Sequence, residues 1–273
     1  MHPYSGCTAS LATKHKKEDQ IAPALARLGI TLEVAAIDTD KLGTFTGEIE
    51  RIGSPIEVAT KKARLGMAAT GSSLGLASEG SIGPDTQIPF VNSELEVMVW
   101  VDDLRGIEIV ESLRSFEIVA IKEELSIDQS IEDLLLKADF PRHSLIARGS
   151  DGEIIKGINS RNQLDEVLSG LFQKDDRVII ESDLRAHCSP SRQRAIALLA
   201  NQLTRRLEAL CSSCGTPGFG RIGATYGVEC QECGEKNLEK VSGEILGCTL
   251  CELREERRIR ELIPASDCSW CNP

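Results

Sequence analysis

Residues 74–84, "LGLASEGSIGP", decide how the first two hundred residues of this chain are read. Leu74 to Ala77 form the short apolar run of a buried strand, and the run ends on Glu79 with Gly80 and Gly83 behind it. A carboxylate at the carboxyl end of a central strand sits where open α/β sheets bind ligands. The two glycines would let phosphates approach the backbone closely. A turn carboxylate is the plainer alternative.

Upstream, "SPIEVATKKARLGMAATG" (54–71) predicts a helix. Ser54 caps it, Pro55 suits its first position, Glu57 completes a capping box and Gly71 stops it. "SLAT" and "TLEVAAI" predict strands on either side of a helix over "KKEDQIAPALARLG", which Gly29 ends. Further strands are predicted at "LEVMVWV", "IEIVESL", "FEIVAI", "HSLIAR" and "RVIIES". Helices are predicted at "SIEDLLLKA", "RNQLDEVLSGLF" and Ser191–Leu210, the last from Ile196, Leu199, Leu203, Leu207 and Leu210 at spacings of three and four. Interleaved strands and helices define an α/β class.

Composition changes near residue 205, giving an expected α/β domain over 1–205 and a Cys-rich domain over 206–273. Eight of the ten cysteines lie there, in four C-x2-C pairs: Cys211/Cys214, Cys230/Cys233, Cys248/Cys251 and Cys268/Cys271. Such knuckles present two thiolates to one ion, and two knuckles complete a tetrahedral Zn site of zinc-ribbon type. Four knuckles form two sites in three ways, sequential, nested or cross-braced, and spacing leaves all three open. Two structural Zn are the expected cofactors, because so short a domain with few large apolar side chains buries little by itself.

The formal charge of −11 and 4% aromatic residues oppose a nucleic-acid footprint. From Asn201 onward 9 Lys/Arg face 11 Asp/Glu, which also disfavours nucleic acid. No segment has the roughly 18 apolar residues of a membrane span. The start, "MHPYSGCTASLATKHKK", lacks the apolar run of a signal peptide, so a cytoplasmic location is expected. A protein partner docking on the zinc tail is compatible with these features.

Three groups could converge on a ligand. In "ATKHKKE", Thr13, Lys14, His15, Lys16 and Lys17 open a helix, where backbone N–H groups and ammonium charge suit phosphate. Glu57 and Lys61 share a helix face, with Lys62 adjacent. Glu79 with Gly80 is the third. Between them, "DTDKLGTFTGEIERIGSP" carries Asp38, Asp40, Glu48 and Glu50, oxygens of the kind Mg²⁺ prefers. Downstream, "ESDLRAHCSPSRQRA" adds Glu181, Asp183, Arg185, His187, Arg192 and Arg194 after a strand.

The order "LGTFTGE", "ASEGSIGP", "RAHCSPSR" and then paired knuckles resembles a bacterial family known only as a domain of unknown function. More distantly, "PIEVATKKARLGMAATGSSLGLASEGS" is similar to the core of the Ham1-like inosine/xanthosine triphosphate pyrophosphatases. Ala12 and Thr13 match that family's Ala-Thr-x-Asn segment, with His15 for its Asn. Glu57, Ala59, Lys62 and Ala63 match its helix motif, with Val58 for Asn. Leu76, Ala77 and Glu79 match its strand motif, with Ser78 for the first Asp. Arg192 and Ala195 echo its base-recognition motif, with Arg194 for Lys. The resemblance implies a mixed-sheet fold and a Mg²⁺ held by Glu57 and Glu79. Lys14, Lys16 and Lys62 would hold the phosphates of a nucleoside triphosphate, and water would attack the α-phosphorus to release pyrophosphate. A non-catalytic module that binds a nucleotide or phosphorylated metabolite is the alternative.

Overall fold

The computed structural model describes residues 1–39 and 52–273, so Asp40, Glu48 and Glu50 of the acidic loop lie outside the described residues. The chain opens with β1 (Thr8–Ala12), α1 (Glu18–Leu25) and β2 (Thr31–Val34). α2 (Pro55–Thr70) has the predicted bounds: Ser54 Oγ accepts from Glu57 N, Ser54 N donates to Glu57 Oε2 at 2.7 Å, and Gly71 ends the helix at φ 72°. Ser54→Ala is expected to lower stability by about 1 kcal/mol in urea unfolding, the usual worth of such a cap. It should leave ligand binding unchanged.

β3 (Leu74–Pro84), β4 (Asn92–Asp102) and β5 (Ile107–Ser115) complete a sheet ordered β2-β1-β3-β4-β5. β1 is parallel to both neighbours, and β3 is antiparallel to β4, so the sheet is mixed. β3 does not end at Glu79. β4 pairs with it continuously from Leu74↔Asp102 to Pro84↔Asn92 and carries the backbone through the glycines. The parallel ladder, however, stops at Ala12↔Ala77, so Ser78 and Glu79 are the first residues past the end of β1.

α2 lies tight on one face of this sheet. A Cβ on Gly75 would fall 2.5 Å from Met67 Cγ. Ala59, Ala63, Met67, Ala77, Val97, Val99 and Val101 form the core beneath it. With a two-residue side-chain period, Ala77 and Glu79 face α2, while Ser78, Glu94 and Glu96 face the other side.

β6 (Lys122–Ser126), β7 (Leu145–Arg148), β8 (Ile154–Ile158) and β9 (Arg177–Ser182) form a second sheet, ordered β6-β9-β7-β8 and antiparallel throughout. α3 (Glu132–Lys137) and α4 (Arg161–Phe172) cover it through Leu134, Leu164 and Leu171. The expected strand at "FEIVAI" is absent and β6 begins after it. Val119 N and Ile121 N instead donate to the hydroxyls of Ser191 and Ser182. α5 (Pro190–Glu208) follows.

The C-terminal text holds a sheet that the knuckles did not announce: β10 (Gly220–Cys230), β11 (Lys236–Gly247), β12 (Arg254–Arg258) and β13 (Leu262–Ile263), ordered β12-β11-β10-β13. The chain divides into two compact units. One is Tyr4–Leu104 with Val110–Leu203; the other is Met1–Pro3 with Arg105–Ile109 and Thr204–Pro273. Among the described residues, no helix is long and apolar enough to cross a membrane.

Candidate functional site

Just past the carboxyl end of β1, three cations and three carboxylates are buried around β3 and β4, Lys62 and Glu79 toward α2 and the other four toward the opposite face. Lys16 has a left-handed φ of 53°, and this reversal leaves Lys16 exposed while turning Lys17 inward. Lys17 Nζ donates to the Ser78 carbonyl at 3.2 Å and to Ser78 Oγ at 3.0 Å. From α2, Lys62 Nζ meets Glu79 Oε2 at 2.6 Å, both side chains buried. From the first turn of α5, Arg192 Nε donates to Glu94 Oε1 at 2.9 Å and to Glu96 Oε1 at 3.0 Å. Its terminal nitrogens reach Glu96 Oε1 and the Leu184 carbonyl.

Charges taken out of water persist only when paired, and this set is balanced, three against three. Burial holds the Lys17 ammonium below the ordinary lysine range, partly offset by Glu96. Burial also pushes the Glu94 carboxyl up to about 7, helped by the negative charge of Glu96. Burial opposes ionisation of Glu96 as well, but Arg192 and Lys17 outweigh it and keep its carboxyl below the usual value. Glu94 therefore carries a proton more readily than an ordinary glutamate at neutral pH.

The sequence candidates divide. Lys62, Glu79 and Arg192 belong to the buried set, and Gly80 lies beside it in register with Glu96. Thr13 is buried, its hydroxyl accepting from His15 N at 3.4 Å. His15 stacks on His187 with ring centroids 5.4 Å apart. Burial and the Arg185 charge hold the His187 imidazole below its usual range. Lys14 forms an exposed pair with Asp38 at 2.9 Å.

Glu57 is a correction. Its carboxylate accepts from Ser54 N, and it lies about 140° around α2 from Lys62, on the exposed side. It does not share the buried site with Glu79. Downstream, Glu181 pairs with Arg148 and Asp183 with Arg185. Sequence reasoning named Lys17 only as one cation of the basic turn, and it missed Glu94 and Glu96. The signal for the glutamates was available: in "SELEVMV" they fall on one face of a strand whose other positions from Leu95 onward are apolar.

A second polar constellation has the outline of a nucleophile–base–acid relay. His143 Nδ1 lies 3.0 Å from Asp139 Oδ2, and His143 Nε2 lies 3.1 Å from Ser191 Oγ. The same Nε2 accepts from Ser191 N at 3.2 Å, and both side chains are buried. An imidazole whose lone pair already takes a helix amide is a helix cap. Its role is to seat the first turn of α5, the turn that carries Arg192.

In the other unit the thiols form two groups of four. Cys211, Cys214, Cys248 and Cys251 make one, and Cys230, Cys233, Cys268 and Cys271 make the other, with Sγ atoms within 4.8 Å of one another in each. The first knuckle thus joins the third and the second joins the fourth, which is the cross-braced arrangement. A hydrogen bond to Cys233 pushes the Cys271 thiol up to about 12, since it holds the proton on that sulfur. A bound cation would reverse that rise, and either group could hold a metal ion.

Fold and site together define a two-unit α/β protein with a Cys-rich C-terminal region able to hold two metal ions. The residues that do this work lie almost wholly within one recognised stretch of chain. The protein belongs to the family described as Domain of unknown function (DUF6671), whose model matches residues 62–273. No curated protein matches the chain.

Proposed function

We propose that the α/β unit binds a phosphate-bearing small molecule, a nucleotide or phosphorylated metabolite, beside the end of β1, while the Cys-rich unit is a structural zinc module. The observation that carries the first part is Lys17. An ammonium has three N–H donors, and the described bonds of Lys17 use two, both on Ser78. A buried ammonium with a donor to spare, beside Lys62 and Arg192 and below the exposed Lys16, offers a hydrogen bond that an anion's oxygen can accept.

The test is calorimetric titration with tripolyphosphate and a panel of nucleoside triphosphates. Lys17→Met should weaken binding by about 10- to 100-fold, the worth of one charge-assisted hydrogen bond. If no member of the panel binds, or Lys17→Met binds as well as the wild type, the reading fails.

For the metal, the Sγ···Sγ separations of four thiol pairs, two in each group, suit a tetrahedral thiolate-bound ion such as zinc. They are 3.6 Å in the first group and 3.8 and 3.9 Å in the second. Four sulfurs at about 2.3 Å from a central Zn²⁺ in a tetrahedron stand about 3.8 Å apart. Elemental analysis should give two Zn per chain, and iron or no metal would contradict the proposal. A protein partner on this unit remains part of the same proposal, since a metal-built scaffold leaves its side chains for contacts.

The second reading is hydrolysis, in a fold of the Ham1 kind. Glu94 favours it, because a carboxyl that titrates at about 7 is suited to acid–base work at neutral pH. The expected magnesium site does not fit the residues, however. Glu57 is spent on the helix cap, Glu79 is held by Lys62, and no group of three carboxylates converges among the described residues. Pyrophosphate release from nucleoside triphosphates with Mg²⁺ would establish hydrolysis. Binding without turnover leaves the first reading standing alone.

A further inference from the structure

Glu94 and Glu96 stand two residues apart on the same face of β4, and both spend Oε1 on Arg192. Oε2 of each is buried and finds no donor among the described residues. Two neighbouring carboxylates cannot donate to each other, so two orphaned acceptors side by side are costly. One proton resolves both, because a carboxylic acid on one side donates to the carboxylate on the other. We propose that Glu94 and Glu96 hold a single proton between them, and that this proton sets the charge of the adjoining anion site. The second half of this rests on the anion-binding reading above.

The charges around the pair show the consequence. Arg192 of α5 and Lys17 ahead of α1 face it, with Glu79 of β3 and Lys62 of α2 next in line. With the proton in place the six side chains carry +1, and without it they carry zero. The raised Glu94 carboxyl places the change near neutral pH. Anion affinity therefore falls as pH rises through about 7, and anion binding draws a proton onto the pair. The stacked imidazoles of His15 and His187 lie near the Lys17 turn, so a control must separate them from the glutamates.

Two measurements decide it. In the free protein, infrared spectroscopy at pH 6 should show a protonated side-chain carboxyl that disappears in Glu94→Gln and, independently, in Glu96→Gln. A wild type without that band at pH 6, or a band that survives both substitutions, overturns the shared proton whether or not any anion binds.

For the linkage, tripolyphosphate affinity is compared between wild type and Glu94→Gln from pH 6 to pH 8.5. Their ratio cancels the ionisation of the probe and of the histidines. The wild type should lose about fivefold or more relative to the variant across that range, the lower end of ordinary site coupling. A flat ratio overturns the linkage while leaving anion binding intact. Failure of both proteins to bind at every pH overturns the linkage and the anion reading together, with the infrared result still deciding the proton.

Discussion

Serine at both cysteines of the first knuckle, Cys211→Ser with Cys214→Ser, is expected to remove one metal ion per chain. Cys248→Ser with Cys251→Ser should remove that same ion. Combining the two changes should cost nothing more in metal content, whereas combining the first knuckle with Cys230→Ser and Cys233→Ser should empty both sites. A sequential pairing predicts the reverse for the two combinations, so metal-to-protein ratios distinguish them. The structural effect should be the largest of any substitution here. Among the described residues the Cys-rich unit holds a small buried cluster of Val228, Cys230, Ile263 and Cys268, two of which are themselves thiols, and few other buried apolar side chains, among them Ile107, Ile109 and Leu207. Zinc binding of such modules is worth about 10–16 kcal/mol, far beyond what those few side chains supply. Hydrogen exchange should therefore show β10 and β11 losing protection when the metal is removed.

Arg192→Met should be the most destabilising change in the α/β unit, at about 3–5 kcal/mol. The side chain is fully buried, and its loss leaves Glu94 and Glu96 as two buried carboxylates with one cation fewer. The loss should shrink as pH falls. Without the guanidinium both glutamates bind protons more readily in the folded state than in the unfolded one, and protonation favours folding at low pH. Urea midpoints at about pH 8 and about pH 5 measure this. Adding Glu94→Gln and Glu96→Gln to Arg192→Met should recover part of the stability, because the stranded charges are then gone. Equal stability losses at both pH values would show that Arg192 acts by packing alone.

What was legible in the sequence depended on whether the deciding forces were local. α2 was readable to the residue because Ser54, Pro55, Glu57 and Gly71 each act within a turn of the helix end. The same local logic also settled Glu57 as a cap, and the family-like spacing with Lys62 and Glu79 misdirected its assignment. β3 was misjudged because Glu79, Gly80 and Gly83 carry turn character, while the strand is held by β4, whose text begins after Pro84. Lys16 and Lys17 look alike in sequence, and only the left-handed backbone at Lys16 makes one a surface charge and the other a buried one. The candidate site was half visible: Lys62, Glu79 and Arg192 were found, but the carboxylates that hold Arg192 come from a strand read only as core. The two ligand sets could not be resolved from spacing, since intervals of 15 and 16 residues suit sequential sites equally well.

The cross-brace has a consequence for the order of events during synthesis. Cys211, Cys214, Cys230 and Cys233 leave the ribosome before either native site has its full set of sulfurs. Those four have the spacing of a complete ribbon, so an early metal ion can be captured across two sites that finally belong to different ions. The mature pairing then requires ligand exchange once Cys248 and Cys251 arrive, as thiolates from the third knuckle displace the second from the ion. With this pairing, a metal ion captured early must change two of its four sulfurs before the unit is complete.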